Sequence, residues 1–106
     1  DFTFVGNVVD GVLRACEAPN VAGEVINVAT GMCCSLNDLF RTMQRLVQST
    51  VQPKYDEARL GDVRHSHADI EKAFRLLGYR PSVSLEAGLL ETLEWYRASV
   101  GAVNLR

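Results

Sequence analysis

The segment GDVRHSHADIEKAFRLLGY, residues 61 to 79, constrains the fold of this chain more than any other segment. It opens with a loop that carries the charged residues Asp62 and Arg64, followed by short polar side chains suited to beginning a helix. Apolar residues then recur at helical spacing, and Gly78 supplies a common helix stop. The sequence therefore predicts a charged loop followed directly by a helix over about residues 69 to 77.

Three further helices are predicted from caps and apolar periodicity. Ser35, with Asp38 three residues later, predicts a helix to about residue 48. Ser84 predicts a closing helix to about residue 99. Asn7 is expected to cap a first helix to about residue 18, with Asp10 near its positive end. The stripe of this first helix expected to face the core consists of Val8, Val9, Val12, Leu13 and Cys16.

Short strands are expected around these helices. Residues 1 to 5 alternate in polarity, and residues 24 to 29 form a compact β-rich run. Residues 51 to 55 resemble a third strand, which Pro53 would confine to a sheet edge. The predicted fold class is therefore α/β: one mainly helical lobe over residues 1 to 106, with two or three short strands.

Composition narrows the classes of function. The chain is 47% hydrophobic and 23% charged, which argues for a folded domain. Its net charge is -2 without any Lys/Arg run, so a nucleic-acid partner is not expected. No apolar run approaches the roughly 20 residues of a membrane helix. Three cysteines, with Cys33 and Cys34 adjacent, suit reduced thiols in a cytoplasmic protein.

Four segments in order resemble the extended short-chain dehydrogenase/reductase family, the NAD-dependent nucleotide-sugar epimerases and dehydratases. The segment at residues 61 to 79 is one of them, and the match extends over nearly the whole chain. The other three are DFTFVGNVVDGVLRA (1 to 15), GEVINVATGMCCSLNDL (23 to 39) and SVSLEAGLLETLEWYR (82 to 97). The resemblance implies the C-terminal, substrate-binding portion of a Rossmann-type enzyme similar to the UDP-glucose and UDP-N-acetylglucosamine 4-epimerases.

The resemblance implies a diphosphate site in the charged loop. In that family an Arg-x-Gly-Asp segment lies against the nucleotide diphosphate of the sugar substrate, and here it reads Arg59-Leu60-Gly61-Asp62. A guanidinium can hold two diphosphate oxygens through parallel charge-assisted hydrogen bonds, and a carboxylate can accept from ribose hydroxyls. Arg64 is expected to support the loop by pairing with Asp62, Glu57 or a helix C-terminus.

Two more substrate-binding residues follow from the resemblance. Asn27 is placed beside the nucleotide, and Ser66 is placed at the border of the sugar pocket, where a serine leaves room that a tyrosine would fill. Each has a simpler interpretation as well. Asn27 suits a hydrogen-bonded amide within a buried strand, and Ser66 suits a helix cap.

The chain also departs from the family. It has neither a Gly-x-x-Gly-x-x-Gly loop nor a Tyr-x-x-x-Lys pair, so we expect the N-terminal NAD-binding and catalytic half to be absent from it. Leu60 stands where proline is usual, and Gly6-Asn7 stands where the family has an acidic residue. We therefore expect this chain to be the part of an enzyme that binds a UDP-sugar, and to have no catalytic activity by itself. In the complete enzyme, NAD would transiently oxidise the sugar at C4.

Alternative interpretations remain open from sequence. The chain could be part of a nucleotide-sugar 4,6-dehydratase, or a stand-alone, non-catalytic protein-interaction module that self-associates through an exposed apolar face. A metal site is not expected, because the spacing of the candidate ligands matches no common zinc pattern. Those candidates are Cys33, Cys34, His65 and His67.

Overall fold

The computed structural model describes residues 1–99, and these residues form two pairs of packed helices. The helices are α1 (Val5–Glu17), α2 (Leu36–Val47), α3 (Glu71–Leu77) and α4 (Leu85–Ser99). Helix α1 packs against α3, and α2 packs against α4. Long irregular connections link the two pairs, and the one between α2 and α3 carries the charged loop.

The caps of α2 and α4 confirm the sequence prediction. The Ser35 hydroxyl accepts a hydrogen bond from the Asp38 N–H at 3.1 Å and donates to the Asp38 carboxylate at 2.6 Å. The Ser84 hydroxyl accepts from the Ala87 N–H at 3.2 Å. Each hydroxyl satisfies an N–H group that the first helical turn would otherwise leave without a partner.

Helix α3 has the predicted position and ends. The Asp69 carboxylate accepts from the N–H of Glu71 at 2.8 Å, so Asp69 precedes the helix and holds its start. Gly78 follows the last turn with φ of 62°, in the left-handed region that glycine adopts without steric cost. The short helix thus has a fixed beginning and a fixed end.

The predicted cap of α1 is wrong. Helix α1 begins at Val5, so Asn7 lies within its first turn. The Asn7 side chain is only 1% exposed, and its oxygen accepts from the N–H groups of Ser82 at 3.1 Å and Val83 at 3.0 Å. A buried amide needs both donors and acceptors. The backbone before α4 offers them, so a tertiary contact replaces the local cap.

The buried face of α1 also differs from the expected one. Gly11 is buried, and Ala15 packs on the core. A Cβ atom at Gly11 would lie 2.6 Å from Cγ1 of Val28, so glycine lets the backbone approach closely there. Asp10 was expected to interact with the positive end of the helix dipole. Instead it forms an ion pair with Arg14 at 2.7 Å on the surface. The stripe expected to be buried is exposed (Val8, Val9, Val12, Leu13 and Cys16).

The predicted strands do not form within residues 1–99. Residues 1 to 5 run into α1, and residues 24 to 29 and 51 to 55 have no strand beside them to complete a ladder. Side chains bond their carbonyl groups instead. Lys72 Nζ donates to the Val25 carbonyl at 2.8 Å, and Gln44 Nε2 donates to the Val51 carbonyl at 2.7 Å. Within residues 1–99 the lobe is mainly helical, as predicted, and the two or three short strands are not confirmed.

The core is small and lies between α1, α3 and residues 21 to 29. Tyr79 and Ala73 are fully buried, and Leu77 nearly so. The Tyr79 hydroxyl donates to the Ala29 carbonyl at 2.9 Å, which ties the end of α3 to this irregular segment. Partly buried apolar residues surround these three (Ala15, Ala18, Val21, Ile26, Val28 and Leu76).

The described chain is flat and exposes much apolar surface. Its radius of gyration is 16.9 Å, whereas a compact domain of this length has about 13 Å. Trp95 and Tyr96 are 61% and 55% exposed and contact each other edge to face. Because α1 has apolar side chains on its outer face as well, it resembles a helix that is covered on both sides.

Candidate functional site

The charged loop contains a tight turn at the predicted diphosphate segment. The Asp62 N–H donates to the Arg59 carbonyl at 3.3 Å, and Gly61 has φ of 92°. The left-handed backbone requires glycine there, since other residues are strained at this φ. The turn brings Arg59 and Asp62 to the same end of the loop.

Both charged side chains of this turn face solvent. Neither Arg59 nor Asp62 has an ion pair or a side-chain hydrogen bond with another residue of the described range 1–99. Leu60 between them is completely exposed. A guanidinium and a carboxylate that are exposed and uncommitted can bind an external ligand without first breaking an internal contact.

Ser66 lies at the far end of the same loop. Its side chain is exposed, and its carbonyl accepts from the main-chain nitrogen of Asp1 at 2.6 Å. The hydroxyl does not cap α3, because the N-cap of this helix is Ile70 and the Asp69 carboxylate accepts from the Glu71 N–H. The capping interpretation of Ser66 is therefore wrong, and its hydroxyl forms no hydrogen bond with another residue of the described chain.

Asn27 occupies a different environment from the one expected. It is exposed rather than buried in a strand, and its Nδ2 donates to the Asp69 carbonyl at 3.4 Å. The long hydrogen bond places Asn27 beside the start of α3, three residues beyond Ser66. Asn27 therefore contacts Asp69, three residues after Ser66 in the chain, while Arg59 and Asp62 lie on the turn that precedes Ser66.

Electrostatic contacts fix the segment that leads to Asn27. Lys72 on α3 lies 2.7 Å from the Glu24 carboxylate. The hydrogen bond from Lys72, and then its charge, lower the pKa of Glu24. Because Lys72 also donates to the Val25 carbonyl, one side chain holds two consecutive residues against α3.

Other expectations concern ion pairs, metals and membranes. The expected pairing of Arg64 with a nearby carboxylate is not seen within residues 1–99. Across the same residues, no group of three or more His, Cys, Asp or Glu side chains could hold a metal ion. None of the helices in the described chain is long and apolar enough to cross a membrane.

Sequence reasoning missed Asp1 as an organising residue of this site. Its carboxylate accepts from Thr30 N–H at 3.0 Å, from the Thr30 hydroxyl at 2.6 Å and from Gly31 N–H at 2.8 Å. His67 Nε2 contacts the Gly31 carbonyl at 2.8 Å. These contacts span 29 to 36 residues, so no local pattern indicates them.

Curated relatives match almost all of this chain. The UDP-glucose 4-epimerase of Mycolicibacterium smegmatis is 36% identical over 97 residues, which cover 92% of this chain and 31% of that protein. The chain therefore spans about a third of the length of this relative. No protein-family model matches the chain.

Solved structures agree with this likeness. The UDP-glucose 4-epimerase of Thermotoga maritima, solved with UDP-glucose, matches with a TM-score of 0.87 and 38% identity, over 94% of this chain and 32% of that one. A mutant UDP-glucuronic acid 4-epimerase of Bacillus cereus matches with a TM-score of 0.85 and 29% identity, over 92% and 32%. That structure contains UDP-4-deoxy-4-fluoro-glucuronic acid and NAD.

Proposed function

We propose that this chain, which is homologous to the C-terminal part of UDP-sugar 4-epimerases of the extended short-chain dehydrogenase/reductase family, binds the UDP-sugar of such an enzyme. Arg59 would hold the diphosphate, and Asp62 would accept hydrogen bonds from the ribose. Asn27 would lie beside the nucleotide, and Ser66 would border the sugar. The named relatives are epimerases, which supports an epimerase over a dehydratase.

The turn formed by residues 59 to 62 is the observation that carries this proposal. It presents a guanidinium and a carboxylate, both exposed and both without partners in the described chain. A surface loop with two charges would be weak support by itself. The support is stronger because the turn belongs to a chain that matches a solved UDP-glucose complex over 94% of its length.

The redox chemistry would belong to the other two thirds of such an enzyme. The sequence contains no glycine-rich phosphate loop and no Tyr-x-x-x-Lys pair, so this chain has no candidate residues for holding NAD or for exchanging a proton at the sugar. Its contribution would be to bind and orient the substrate. Orientation of this kind accounts for a large share of enzymatic rate enhancement.

The exposed apolar surface fits a part that packs against more protein. The outer face of α1 alone presents five large aliphatic residues that are 36% to 66% exposed: Val5, Val8, Val9, Val12 and Leu13. Isolated domains rarely expose contiguous patches of this kind. In the proposed enzyme, the NAD-binding part would cover such a surface.

A chimera tests the proposed function. The chain would replace the matching third of the Thermotoga maritima enzyme, whose remaining two thirds would supply the cofactor and the catalytic residues. We expect the chimera to interconvert UDP-glucose and its 4-epimer. The isolated chain, given NAD and UDP-glucose, should show no turnover. A folded chimera that neither binds nor converts a UDP-sugar would contradict the proposal.

A second candidate function is self-association as a non-catalytic module, and the exposed face of α1 supports it. Size-exclusion chromatography with light scattering would measure the mass of the chain in solution. Under this alternative, the chain forms a dimer that Val9→Glu or Leu13→Glu dissociates. Under the first proposal, the same substitutions impair the activity of the chimera, and any dimer of the isolated chain is incidental.

A further inference from the structure

The Asp1 side chain joins the segment at residues 1 to 3 to residues 30 and 31, which are distant in sequence. Its Oδ1 accepts from the N–H and the hydroxyl of Thr30 at 3.0 and 2.6 Å, and from the Thr3 hydroxyl at 3.3 Å. Its Oδ2 accepts from the Gly31 N–H at 2.8 Å. A carboxylate with several donors forms charge-assisted hydrogen bonds, which are stronger than neutral ones. Asp1 and Thr30 are also partly shielded from water.

Gly31 transmits this contact to the end of the charged loop. Its N–H donates to Asp1, and its carbonyl lies 2.8 Å from His67 Nε2. A carbonyl can only accept, so Nε2 carries the proton and donates. The neighbouring Ser66 carbonyl lies 2.6 Å from the Asp1 nitrogen. Asp1 therefore contacts residues 66 and 67 by two routes: its main-chain nitrogen contacts Ser66 directly, and its side chain acts on His67 through Gly31.

The conformation of Gly31 makes this connection specific. Its φ of 70° is in the left-handed region, and a Cβ atom there would lie 3.3 Å from the side chain of Ile70. Both restrictions favour glycine at this position. The backbone is thus fixed so that its N–H points toward Asp1 while its carbonyl points toward His67.

The loop between residues 56 and 65 has few other attachments. At its beginning, the Tyr55 hydroxyl donates to Asn37 Oδ1 at 3.1 Å. Within the loop, the Asp62 N–H donates a hydrogen bond to the Arg59 carbonyl. The junction at Asp1 is therefore the principal anchor of the end that bears Ser66.

We propose that Asp1 is a positioning residue for the UDP-sugar site: it fixes Ser66 and His67, and through them the geometry of the loop that carries Arg59. The inference rests on the proposed function, because it concerns the same site. A loop that is ordered before the ligand arrives loses less conformational entropy on binding. Asp1 therefore raises affinity without touching the ligand.

The test compares Asp1→Asn with Asp10→Asn in the ¹⁵N-labelled chain. Both substitutions convert an aspartate to its neutral isostere, but Asp10 pairs with Arg14 on α1 and has no contact with the junction. NMR relaxation would measure amide order parameters at Ser66 and His67, and titration with UDP would measure affinity. We expect Asp1→Asn to lower these order parameters from about 0.85 toward 0.6 and to weaken UDP binding severalfold. Asp10→Asn should change neither.

The outcomes separate this inference from the proposed function. Unchanged order at Ser66 and His67 in Asp1→Asn would overturn the positioning role, and so would lost order with unchanged UDP affinity. UDP affinity would also be measured in the chimera, and the proposed function fails if the unaltered chimera does not bind UDP. A local loss of order in Asp1→Asn would then still support the role of Asp1 in fixing the loop.

A milder variant guards against unfolding. Thr30→Val removes the hydroxyl that lies 2.6 Å from Asp1 but keeps the shape of the side chain and its N–H bond. We expect a smaller loss of order at residues 66 and 67, with unchanged order in α2 and α4. A uniform loss of order along the chain in both variants would show a general effect on stability and overturn the positioning role.

Discussion

Asn7 and Val83 are joined by two hydrogen bonds that resemble the pairing of two peptide groups. Asn7 Nδ2 donates to the Val83 carbonyl at 2.8 Å, and Asn7 Oδ1 accepts from the Val83 N–H at 3.0 Å. The contact spans 76 residues and attaches the first turn of α1 to the segment that begins α4. A side chain of the α1–α3 pair thus fixes the start of α4 in the α2–α4 pair.

Asn7→Ala should destabilise the fold. The substitution would leave the N–H and carbonyl groups of Val83 without their partner, and an unsatisfied buried group costs about 1–3 kcal/mol. Urea unfolding followed by circular dichroism would measure the change in the free energy of unfolding. Asn37→Ala is the matched control, because Asn37 is exposed and bonds only to Tyr55. Equal losses in the two variants would contradict the role of Asn7.

Asn7→Asp should be less harmful than Asn7→Ala. A carboxylate keeps the two bonds accepted from the N–H groups of Ser82 and Val83 but cannot donate to the Val83 carbonyl. We expect a free energy of unfolding between those of the original chain and Asn7→Ala, measured in the same urea experiment. A loss larger than that of Asn7→Ala would contradict this expectation and show that burying a charge and losing the donated bond outweigh the two bonds that are kept.

Tyr79 should make stability fall at alkaline pH. Burial, and then the charge of Asp10, raise the pKa of Tyr79 above its ordinary value. The folded state therefore retains the phenolic proton more tightly than the unfolded state, in which the pKa is about 10. The stability due to the protonated hydroxyl is complete below that pH and is lost as the pH rises through the folded pKa.

Tyr79→Phe tests this dependence. The variant should lose about 1 kcal/mol at neutral pH, because the Ala29 carbonyl loses its donor. It should also lose the part of the alkaline decline that Tyr79 causes, measured by urea unfolding between pH 8 and 11. Tyr55→Phe, at an exposed position, should retain that decline. A decline of the same size in Tyr79→Phe and the original chain would contradict the assignment.

Arg45 and Glu86 should couple α2 to α4. Arg45 forms two hydrogen bonds with the Glu86 carboxylate, at 2.8 and 2.9 Å. The hydrogen bond from Arg45, and then its charge, lower the pKa of Glu86. The stabilisation is therefore complete above the unfolded carboxyl pKa of about 4.3 and is lost as the pH falls through the lower, folded pKa.

A double-mutant cycle would measure this coupling. Arg45→Gln and Glu86→Gln should show a favourable coupling free energy that shrinks with added salt and below pH 4, because the pair is exposed. The pair Arg41–Asp38, which lies within α2, is the control and should not affect the docking of α4. A coupling that is zero at low salt would contradict the link between the helices.

The sequence predicted the local features of the fold. Ser35, Ser84 and Gly78 were recognisable because caps and stops depend on residues that are neighbours in the chain. The predicted strands failed for a different reason. A strand requires a second strand, and β-branched composition does not say whether a partner exists within the chain.

The sequence did not indicate the tertiary contacts. Asn7 is a residue type that commonly caps helices, but its side-chain amide forms hydrogen bonds with Val83, 76 residues away. The stripe predicted on α1 is apolar but does not face the core. The face that meets the core contains Gly11, because the lack of a side chain there lets the backbone approach closely. In the candidate site, Arg59 and Ser66 follow from resemblance, whereas Asp1 depends on contacts with residues 30, 31 and 66 that no spacing reveals.

Ser66→Tyr should change the choice of sugar in the chimera. If Ser66 borders the sugar, a tyrosine would occupy the space of an N-acetyl group, and overpacking of this kind costs about 1–3 kcal/mol. We expect the ratio of kcat/KM for UDP-N-acetylglucosamine to that for UDP-glucose to fall roughly tenfold to a hundredfold. Because the Ser66 hydroxyl caps no helix, the melting temperature should change little. An unchanged ratio would contradict the placement of Ser66 at the border of the sugar.

The affinity of the Arg59 variant for UDP-glucose is the most direct test of the account. Arg59→Ala in the chimera should weaken binding by on the order of 1.5–3 kcal/mol, the range for a hydrogen bond to a charged group, or roughly tenfold to a hundredfold in Kd by calorimetry. Arg64→Ala removes an equally exposed arginine from the same loop and should have little effect. Equal Kd values for Arg59→Ala and the unaltered chimera would contradict the central claim that this turn binds the diphosphate.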